Sequence, residues 1–309
     1  MDIRIGTRGS KLALRQSEWI KEQLEMRHSG IRVDLIKIKT TGDKILDTPL
    51  SKIGGKGLFV KEIEEALLEN RVDVAVHSMK DVPAQLPKEL MLSTFPPRED
   101  PSDALISGDQ QSLDQLPKGA KVGTSSLRRG AQLLHFRPDL KLVPLRGNVD
   151  TRLNKLKSEN LQAIILATAG LNRLGLSNVI TQTIPFHQLL PAVGQGALGL
   201  EVRRGDQGTI DLLDFLNHED TQTAVAAERA FLKTLEGGCQ VPIAGFARIN
   251  GETLSFEGLV AELDGSKIYK ETVTGSRDEA EAIGIEAAQT LLESGGGDVL
   301  RRLYEESDG

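Results

Sequence analysis

The sequence predicts an α/β protein with two doubly wound lobes and a small C-terminal α+β domain. Short β-branched runs alternate with helical patterns through the first two-thirds of the chain, which is typical of open α/β sheets. Two stiff segments, Pro96-Pro97 and Pro191-Ala192-Val193-Gly194, interrupt that alternation. After Cys239 the pattern becomes that of antiparallel strands, with Asn250-Gly251 and Asp264-Gly265 turns.

The individual elements follow from these runs. We predict strands in the first two lobes at residues 3–6, 33–38, 72–76, 91–95, 121–123, 140–145, 163–166 and 198–202. The predicted helices of the same lobes are residues 11–27, 57–68, 127–136, 149–157 and 209–216. In the C-terminal region we predict a helix at 221–235, strands at 243–249, 254–259 and 267–273, and helices at 279–292 and beyond 297. Ligands of open α/β sheets bind beyond the carboxyl ends of the strands.

The two breaks divide the chain into domains. A chain of 309 residues exceeds the size at which one core keeps growing. The strand and helix after the second break can complete the first lobe, so domain 1 comprises residues 1–96 and 197–217. Domain 2 comprises residues 97–196 and domain 3 residues 218–309. Two crossover segments then join domains 1 and 2, and a cleft lies between them.

Composition and charge narrow the function classes. A hydrophobic content of 39% and a charged content of 27% are typical of a soluble globular protein. The first residues lack a signal-peptide pattern and no apolar run approaches membrane-spanning length, so we expect a cytoplasmic protein. The net charge of −6 and an aromatic content of 4% argue against nucleic-acid binding. Residues 121–152 nevertheless carry a local net charge of +5, which favours a small anionic ligand.

Cys239 is the single cysteine of the chain. It can form no intramolecular disulfide and no multi-thiolate metal site. It follows two glycines and precedes Gln240-Val241-Pro242, so we expect a loop thiol. It is either an incidental surface cysteine or a thiol used once, as a nucleophile or an attachment point.

Residues 43–57 have the least predicted structure. A Walker phosphate loop needs Ser or Thr after its Gly-Lys pair, and here Gly57 follows Lys56. This segment is therefore no nucleotide loop, and we expect a mobile lid over the cleft in preference to a passive loop.

Three strand-to-helix junctions share one chemical pattern. Thr7-Arg8-Gly9-Ser10, Gly123-Thr124-Ser125-Ser126-Leu127-Arg128-Arg129 and Arg146-Gly147-Asn148 each combine small polar residues with arginine. A helix N-terminus offers free N–H groups, and arginine can bind a carboxylate bidentately. One such junction is explained by ordinary N-capping. Three together favour a ligand with several carboxylates or phosphates.

A fourth polar segment follows a strand that has the sequence of a buried one. Lys80 and Asp81 lie directly after it, where an open α/β cleft collects catalytic groups. Asp81 is the stronger candidate for acid–base work or for stabilising a cation. His77 is better explained as a structural histidine.

Five motifs closely resemble those of the porphobilinogen deaminase (hydroxymethylbilane synthase) family. They occur in order along essentially the whole chain: Val76-His77-Ser78-Met79-Lys80-Asp81-Val82-Pro83, Gly123-Thr124-Ser125-Ser126-Leu127-Arg128-Arg129, Leu145-Arg146-Gly147-Asn148, Pro191-Ala192-Val193-Gly194-Gln195-Gly196-Ala197 and Glu236-Gly237-Gly238-Cys239-Gln240-Val241-Pro242.

The resemblance implies a fold and a reaction. The family has two periplasmic-binding-protein-like domains around a cleft and a small third domain. Its members are transferases of porphyrin, haem and tetrapyrrole biosynthesis. No long exposed apolar or heptad pattern demands assembly, so we expect a monomer, and we expect no metal. A dipyrromethane cofactor would be attached to Cys239 through a thioether. Four porphobilinogen molecules are condensed stepwise with loss of ammonia, and hydrolysis releases hydroxymethylbilane.

The resemblance also implies roles for individual residues. Asp81 would be catalytic. The cofactor would be bound by Cys239, Lys80, Asp81, Thr124, Ser125, Ser126, Arg128, Arg129, Arg146 and Gly147. The substrate would be bound by Arg8, Ser10, Lys56, Phe59, Arg152, Arg173 and Gln195.

Two other functions are compatible with parts of this pattern. A two-lobed binding protein for a small anion explains the cleft but neither the third domain nor its cysteine. A thiolate hydrolase would need a histidine beside Cys239; the nearest in sequence is His218, with no obvious third partner.

Overall fold

The computed structural model describes residues 2–44, 57, 59–236 and 241–308. Lys56, Cys239 and most of the segment 43–57 lie outside these residues, so the lid and the loop thiol stay predictions. Within the described ranges, no helix has the length and apolar character needed to cross a membrane.

The described residues form three sheets with flanking helices. The strands are β1 Asp2–Thr7, β2 Arg32–Lys37, β3 Val74–Ser78, β4 Leu90–Thr94, β5 Asp103–Ser107, β6 Lys121–Gly123, β7 Lys141–Val143, β8 Ala163–Ala167, β9 Gln182–Ile184, β10 Leu198–Arg203, β11 Ile243–Asn250, β12 Thr253–Ala261 and β13 Ile268–Ser276. The helices are α1 Lys11–Arg27, α2 Thr41–Lys44, α3 Lys61–Leu68, α4 Leu127–Phe136, α5 Val149–Ser158, α6 Thr168–Arg173, α7 Gln207–Leu213, α8 Glu219–Thr234, α9 Ala280–Leu291 and α10 Gly297–Asp308.

The first two sheets have the same construction. The first has the strand order β2-β1-β3-β10-β4 and the second the order β7-β6-β8-β5-β9. In each, three parallel strands are followed by an antiparallel fourth, β10 or β5. The chain reaches β5 and β10 by crossing from the other sheet at the two proline-containing segments. The parallel strands bring the starts of α1, α4 and α5 to the carboxyl edges of their sheets.

The third sheet is the antiparallel meander β11-β12-β13, with α8 and α9 packed against it. Its core contains Phe231 and Phe256, whose ring centroids lie 4.8 Å apart. Gly284 marks the closest approach of the two helices, because a Cβ at this position would lie 2.1 Å from the Ala227 carbonyl oxygen. The predicted fold class, two open α/β sheets and a small α+β unit, is confirmed.

Four elements were not predicted: α2, β5, β9 and α6. The strand β5 begins with the fully buried Asp103, and an acid after Pro101 interrupts the apolar run that signals a strand. The strand β9 has only three residues, and α6 follows β8 without a loop. Helix α3 begins at Lys61 rather than at residue 57.

Glu228 connects both crossovers to the third sheet. Its buried carboxylate accepts hydrogen bonds from Arg98 at 2.6 and 3.1 Å. It also accepts the backbone N–H groups of Gly194 at 2.6 Å and of Ala247 at 3.0 Å. A carboxylate with this many donors, including a guanidinium, fixes the segments that it joins.

The helix contact at Gly284 gives a stability prediction. Gly284→Ala forces α8 and α9 apart, and overpacking of this kind costs about 1–3 kcal/mol of unfolding free energy. Gly208→Ala is the matched control, because Gly208 lies in α7 with nothing within 4 Å of an added Cβ. The control should be neutral or gain up to about 0.5–1 kcal/mol. Urea unfolding checks both; a Gly284→Ala protein as stable as the control contradicts the contact.

Candidate active site

The polar turn after β3 is a 3₁₀ helix, Met79–Asp81. Its first residue is anchored to the segment just before β10, since the Met79 N–H donates to the Ala197 carbonyl at 3.0 Å. The side chains of Lys80 and Asp81 are partly exposed. No other described residue donates a hydrogen bond to the Asp81 carboxylate.

Two consecutive arginines at the start of α4 are buried and share one carboxylate. Arg129 donates from Nε and Nη2 to Asp103 at 2.9 and 2.6 Å, and from Nη1 to the Ile165 carbonyl at 3.0 Å. Arg128 forms an ion pair with the other oxygen of Asp103 at 2.8 Å and donates to the Leu190 carbonyl at 2.6 Å. These arginines are therefore held by the protein's own carboxylate and backbone, an arrangement that was not predicted.

Asp103 is fully buried, and burial alone would raise its pKa. The two guanidinium groups outweigh that effect and lower the pKa to about 2. Asp103 also accepts a hydrogen bond from the Gln195 side-chain nitrogen at 3.0 Å. Gln195 donates in addition to the Pro101 carbonyl at 2.7 Å, so it joins the two crossovers.

The structure brings the two lobes together at Lys80. Burial lowers the pKa of Lys80 to about 8; Asp81 and Asp103 oppose this shift, and Arg128 and Arg129 add to it. The Lys80 side chain therefore carries its positive charge below about pH 8 and loses it as the pH rises above that value. Lys80 and Asp81 from the first sheet thus lie close to the arginine pair from the second.

Arg152 belongs to the same cluster. Burial lowers its pKa to about 10, with Arg129 and Arg146 adding to the shift and Asp81 opposing it. Its Nε donates to the Gly147 carbonyl at 2.8 Å, and Gly147 has a φ of 114° that favours glycine. Within the described part of the chain, Arg146 has no hydrogen-bond or ion-pair partner.

The small polar residues of the junctions are N-caps and loop braces. Ser126 caps α4 by accepting the Arg129 N–H at 3.4 Å, and Asn148 caps α5 by accepting the Thr151 N–H at 2.9 Å. The Ser125 hydroxyl exchanges hydrogen bonds with the Leu145 backbone at 2.9 and 3.1 Å. The Thr124 hydroxyl accepts the Ser126 N–H at 3.2 Å.

The start of α1 carries two of the predicted substrate-binding residues, Arg8 and Ser10. Ser10 caps this helix by accepting the Ala13 N–H at 3.2 Å. The Arg8 guanidinium lies 4.1 Å from the centre of the Phe59 ring. Lys11 pairs with Asp150 of α5 at 2.6 Å, which is a contact between the two lobes.

Arg173 does not share the acids of this cluster. It donates to the Gly196 carbonyl at 2.7 Å, and Glu99 is the acid that supports its charge. Burial lowers its pKa to about 10.

The residue that sequence reasoning missed is Asp103. It stands between the Arg98–Pro101 break and the apolar Ala104–Ile106 run. An acid opening an apolar run in a chain with a nearby arginine pair is the signal that could have identified it.

The cluster suits a ligand with several carboxylates. Five cations, Lys80, Arg128, Arg129, Arg146 and Arg152, share two nearby acids, Asp81 and Asp103, so the site carries excess positive charge. Guanidinium groups and helix N-termini are the donors that bind carboxylates best. Within the described ranges, no group of three or more His, Cys, Asp or Glu could hold a metal ion.

Comparison with known proteins agrees with this chemistry. Residues 3–211 match the family model described as porphobilinogen deaminase, dipyromethane cofactor binding domain. Residues 222–293 match the porphobilinogen deaminase C-terminal domain. A porphobilinogen deaminase of Trichlorobacter lovleyi is 55% identical over 98% of this chain and 97% of its own length. One from Syntrophotalea carbinolica is 56% identical over 97% and 96%.

Among solved structures, a TRAP periplasmic solute binding protein from Desulfovibrio salexigens aligns with a TM-score of 0.41 and 12% identity, over 72% of this chain and 74% of its own. The two family models together cover most of the sequence and both relatives match nearly end to end. The chain therefore belongs to the porphobilinogen deaminase family, the hydroxymethylbilane synthase transferases of tetrapyrrole biosynthesis.

Proposed function

We propose that the cationic cluster around Asp81 carries the reaction of this family. That reaction condenses four porphobilinogen molecules head to tail with loss of ammonia, and hydrolysis then releases hydroxymethylbilane. The observation that supports this assignment is the meeting of Lys80 and Asp81 with Arg128, Arg129 and Arg152 at facing sheet edges. Each pyrrole of the substrate carries an acetate and a propionate, so these cations match its charge.

The same residues fit the dipyrromethane cofactor, whose two rings carry four carboxylates. When bound, the cofactor supplies the pyrrole end to which substrate units are joined. Lys80, Arg128, Arg129 and Arg146 would bind its carboxylates, with Thr124, Ser125, Ser126 and Gly147 shaping the loops beside them. Cys239 would hold it through a thioether, which resists exchange and suits a group kept over many turnovers.

The substrate-binding residues divide into two kinds. The first kind belongs to the first and second lobes and would bind or cover incoming porphobilinogen. These residues are Arg8, Ser10, Lys56, Phe59, Arg152 and Arg173. Gln195 is 1% exposed and its amide nitrogen is engaged by Asp103 and Pro101. We therefore assign Gln195 to positioning Asp103 and the crossovers.

Asp81 is the proposed catalytic residue. Loss of ammonia from porphobilinogen leaves an electron-poor methylene-pyrrole cation. The Asp81 carboxylate would hydrogen-bond pyrrole N–H groups, stabilise that positive charge and accept the ring proton after the new bond forms. Lys80 and Arg152 are close enough to Asp81 for their charges to interact with it.

We also propose that the enzyme works in the cytoplasm as a monomer and without nucleic acid. A thiol that must be alkylated by the cofactor is best kept in a reducing compartment. The large apolar side chains that are exposed in the described ranges occur singly on different elements: Met26, Leu68, Phe136, Phe215, Leu263 and Ile285. A binding protein without catalysis is not favoured, since the matched relatives are deaminases.

Intact mass tests the assignment of Cys239. The wild-type holoenzyme should be heavier than its sequence by one dipyrrole unit. Cys239→Ser should lack that mass and have almost no activity, because an alcohol is a far weaker nucleophile than a thiolate. Circular dichroism and thermal unfolding provide the folding control. A Cys239→Ser protein with full turnover would remove this residue from the mechanism.

Asp81→Asn tests the catalytic assignment. The amide keeps the size and one acceptor oxygen, so porphobilinogen should still bind. It carries no negative charge, and losing one preorganised electrostatic group costs about 2.7–4 kcal/mol of transition-state stabilisation. We expect kcat to fall roughly a hundred- to a thousandfold.

Asp81→Glu is the matched control, since it keeps the charge and only misplaces it. Its kcat should be well above that of Asp81→Asn. Single-turnover kinetics with purified holoenzyme compares the two variants. Similar rates in both, close to wild type, would show that charge at this position does not catalyse the reaction.

A further inference from the structure

A buried group of charged residues lies beneath the Lys80–Asp81 turn. His77 in β3 and Glu201 in β10 are almost fully buried, and His77 Nε2 lies 2.9 Å from Glu201 Oε2. Gly199 is paired opposite His77, so Glu201, two residues further, projects from the same face of the sheet. Glu64 of α3 and Arg229 of α8 are close enough to Glu201 for their charges to interact.

The charge of Glu201 acts on Glu64 within this group. Burial, and then the charge of Glu201, raise the pKa of Glu64 to about 7, while His77 opposes that shift. Glu64 Oε1 and Glu201 Oε1 are buried and accept no hydrogen bond from a described residue.

Glu201 pairs directly with His77 before the catalytic turn and interacts electrostatically with Arg229, which contacts the backbone after it. Before the turn, it binds His77, which is separated from Met79 by one residue. After the turn, Arg229 Nη2 donates to the Pro83 and Ala84 carbonyls at 2.9 and 3.1 Å. Burial lowers the pKa of Arg229, and Glu201 is the acid that supports its charge.

Burial of the Glu201 carboxylate is unfavourable unless its interactions compensate for the lost hydration. Polar groups buried in a core are retained where they fix one arrangement of the backbone. The backbone between His77 and Ala84 carries Lys80 and Asp81, whose side chains must be placed accurately for catalysis.

We propose that Glu201 is a positioning residue for Lys80 and Asp81, acting through His77 at one end of the turn and Arg229 at the other. Only the kinetic test of this inference rests on the proposed function. Its structural readout, the order of the turn, is independent of the reaction.

Glu201→Gln is the principal test. The amide keeps the shape and removes the charge, so the chain should fold with a nearly unchanged melting temperature. We expect kcat to fall about tenfold or more with the KM for porphobilinogen within about twofold, because binding cations are retained. Hydrogen exchange of peptides covering residues 76–84 should become about tenfold faster.

The control is Glu65→Gln, the same substitution at an exposed position of α3. It should leave kcat, KM and hydrogen exchange at wild-type values. A Glu201→Gln enzyme with wild-type kcat and exchange would overturn the proposal, and so would a loss of kcat matched by an equal loss of stability throughout the chain.

A double-mutant cycle tests the route of the effect. If Glu201 acts through His77, the variant combining Glu201→Gln and His77→Gln should lose little more kcat than the worse single variant. Fully multiplicative losses would contradict that coupling. Arg229→Lys tests the other end of the turn through hydrogen exchange of residues 82–84. This measurement is available even if Glu201→Gln does not fold. Unchanged exchange there would overturn the link.

If the proposed function fails, Asp81→Asn will retain activity. Faster exchange of residues 76–84 in Glu201→Gln would then still stand. If only the positioning role fails, Asp81→Asn will be inactive while Glu201→Gln behaves like Glu65→Gln.

Discussion

The buried pairing of Asp103 with Arg128 and Arg129 is the interaction on which the rest of the site depends. Two guanidinium groups cannot be buried side by side at a helix start unless a carboxylate offsets their charge. Asp103 supplies it from the first residue of β5, immediately after one crossover, and Gln195 ties it to the other. The contacts that compensate for burial of the two arginines therefore also fix the connection between the lobes.

Sharing one acid between two arginines also leaves the site with excess positive charge. Lys80, Arg146 and Arg152 add to it, and burial has already lowered the pKa values of Lys80 and Arg152. Carboxylates of a bound ligand would raise these two pKa values again, because they favour the charged side chains. The same attraction would bind the ligand more tightly. Glu228 plays the corresponding role at the junction with the third sheet, where it holds Arg98, Gly194 and Ala247.

Much of the fold and of the chemistry could be predicted from sequence, and the failures have physical causes. Helices α1 and α4 and strand β6 were predicted to the residue, because their apolar periodicity and Ser caps are local signals. Strand β5 was missed because its first residue is an acid whose partners are 25 and 26 positions away. The resemblance named Arg128 and Arg129 but could not reveal that Asp103 already pairs with them. Gln195 looked like a ligand contact for the same reason, since its partners are more than 90 residues distant.

Hydrogen exchange in Asp103→Asn tests this account most directly. Removing one partner of a buried ion pair costs about 3–5 kcal/mol, so the amides of α4 should exchange roughly a hundredfold to several thousandfold faster than in wild type. Asp34→Asn, at the exposed pair with Arg32, is the control and should leave α4 unchanged. Wild-type exchange of residues 127–136 in Asp103→Asn would contradict the claim that this carboxylate organises the site.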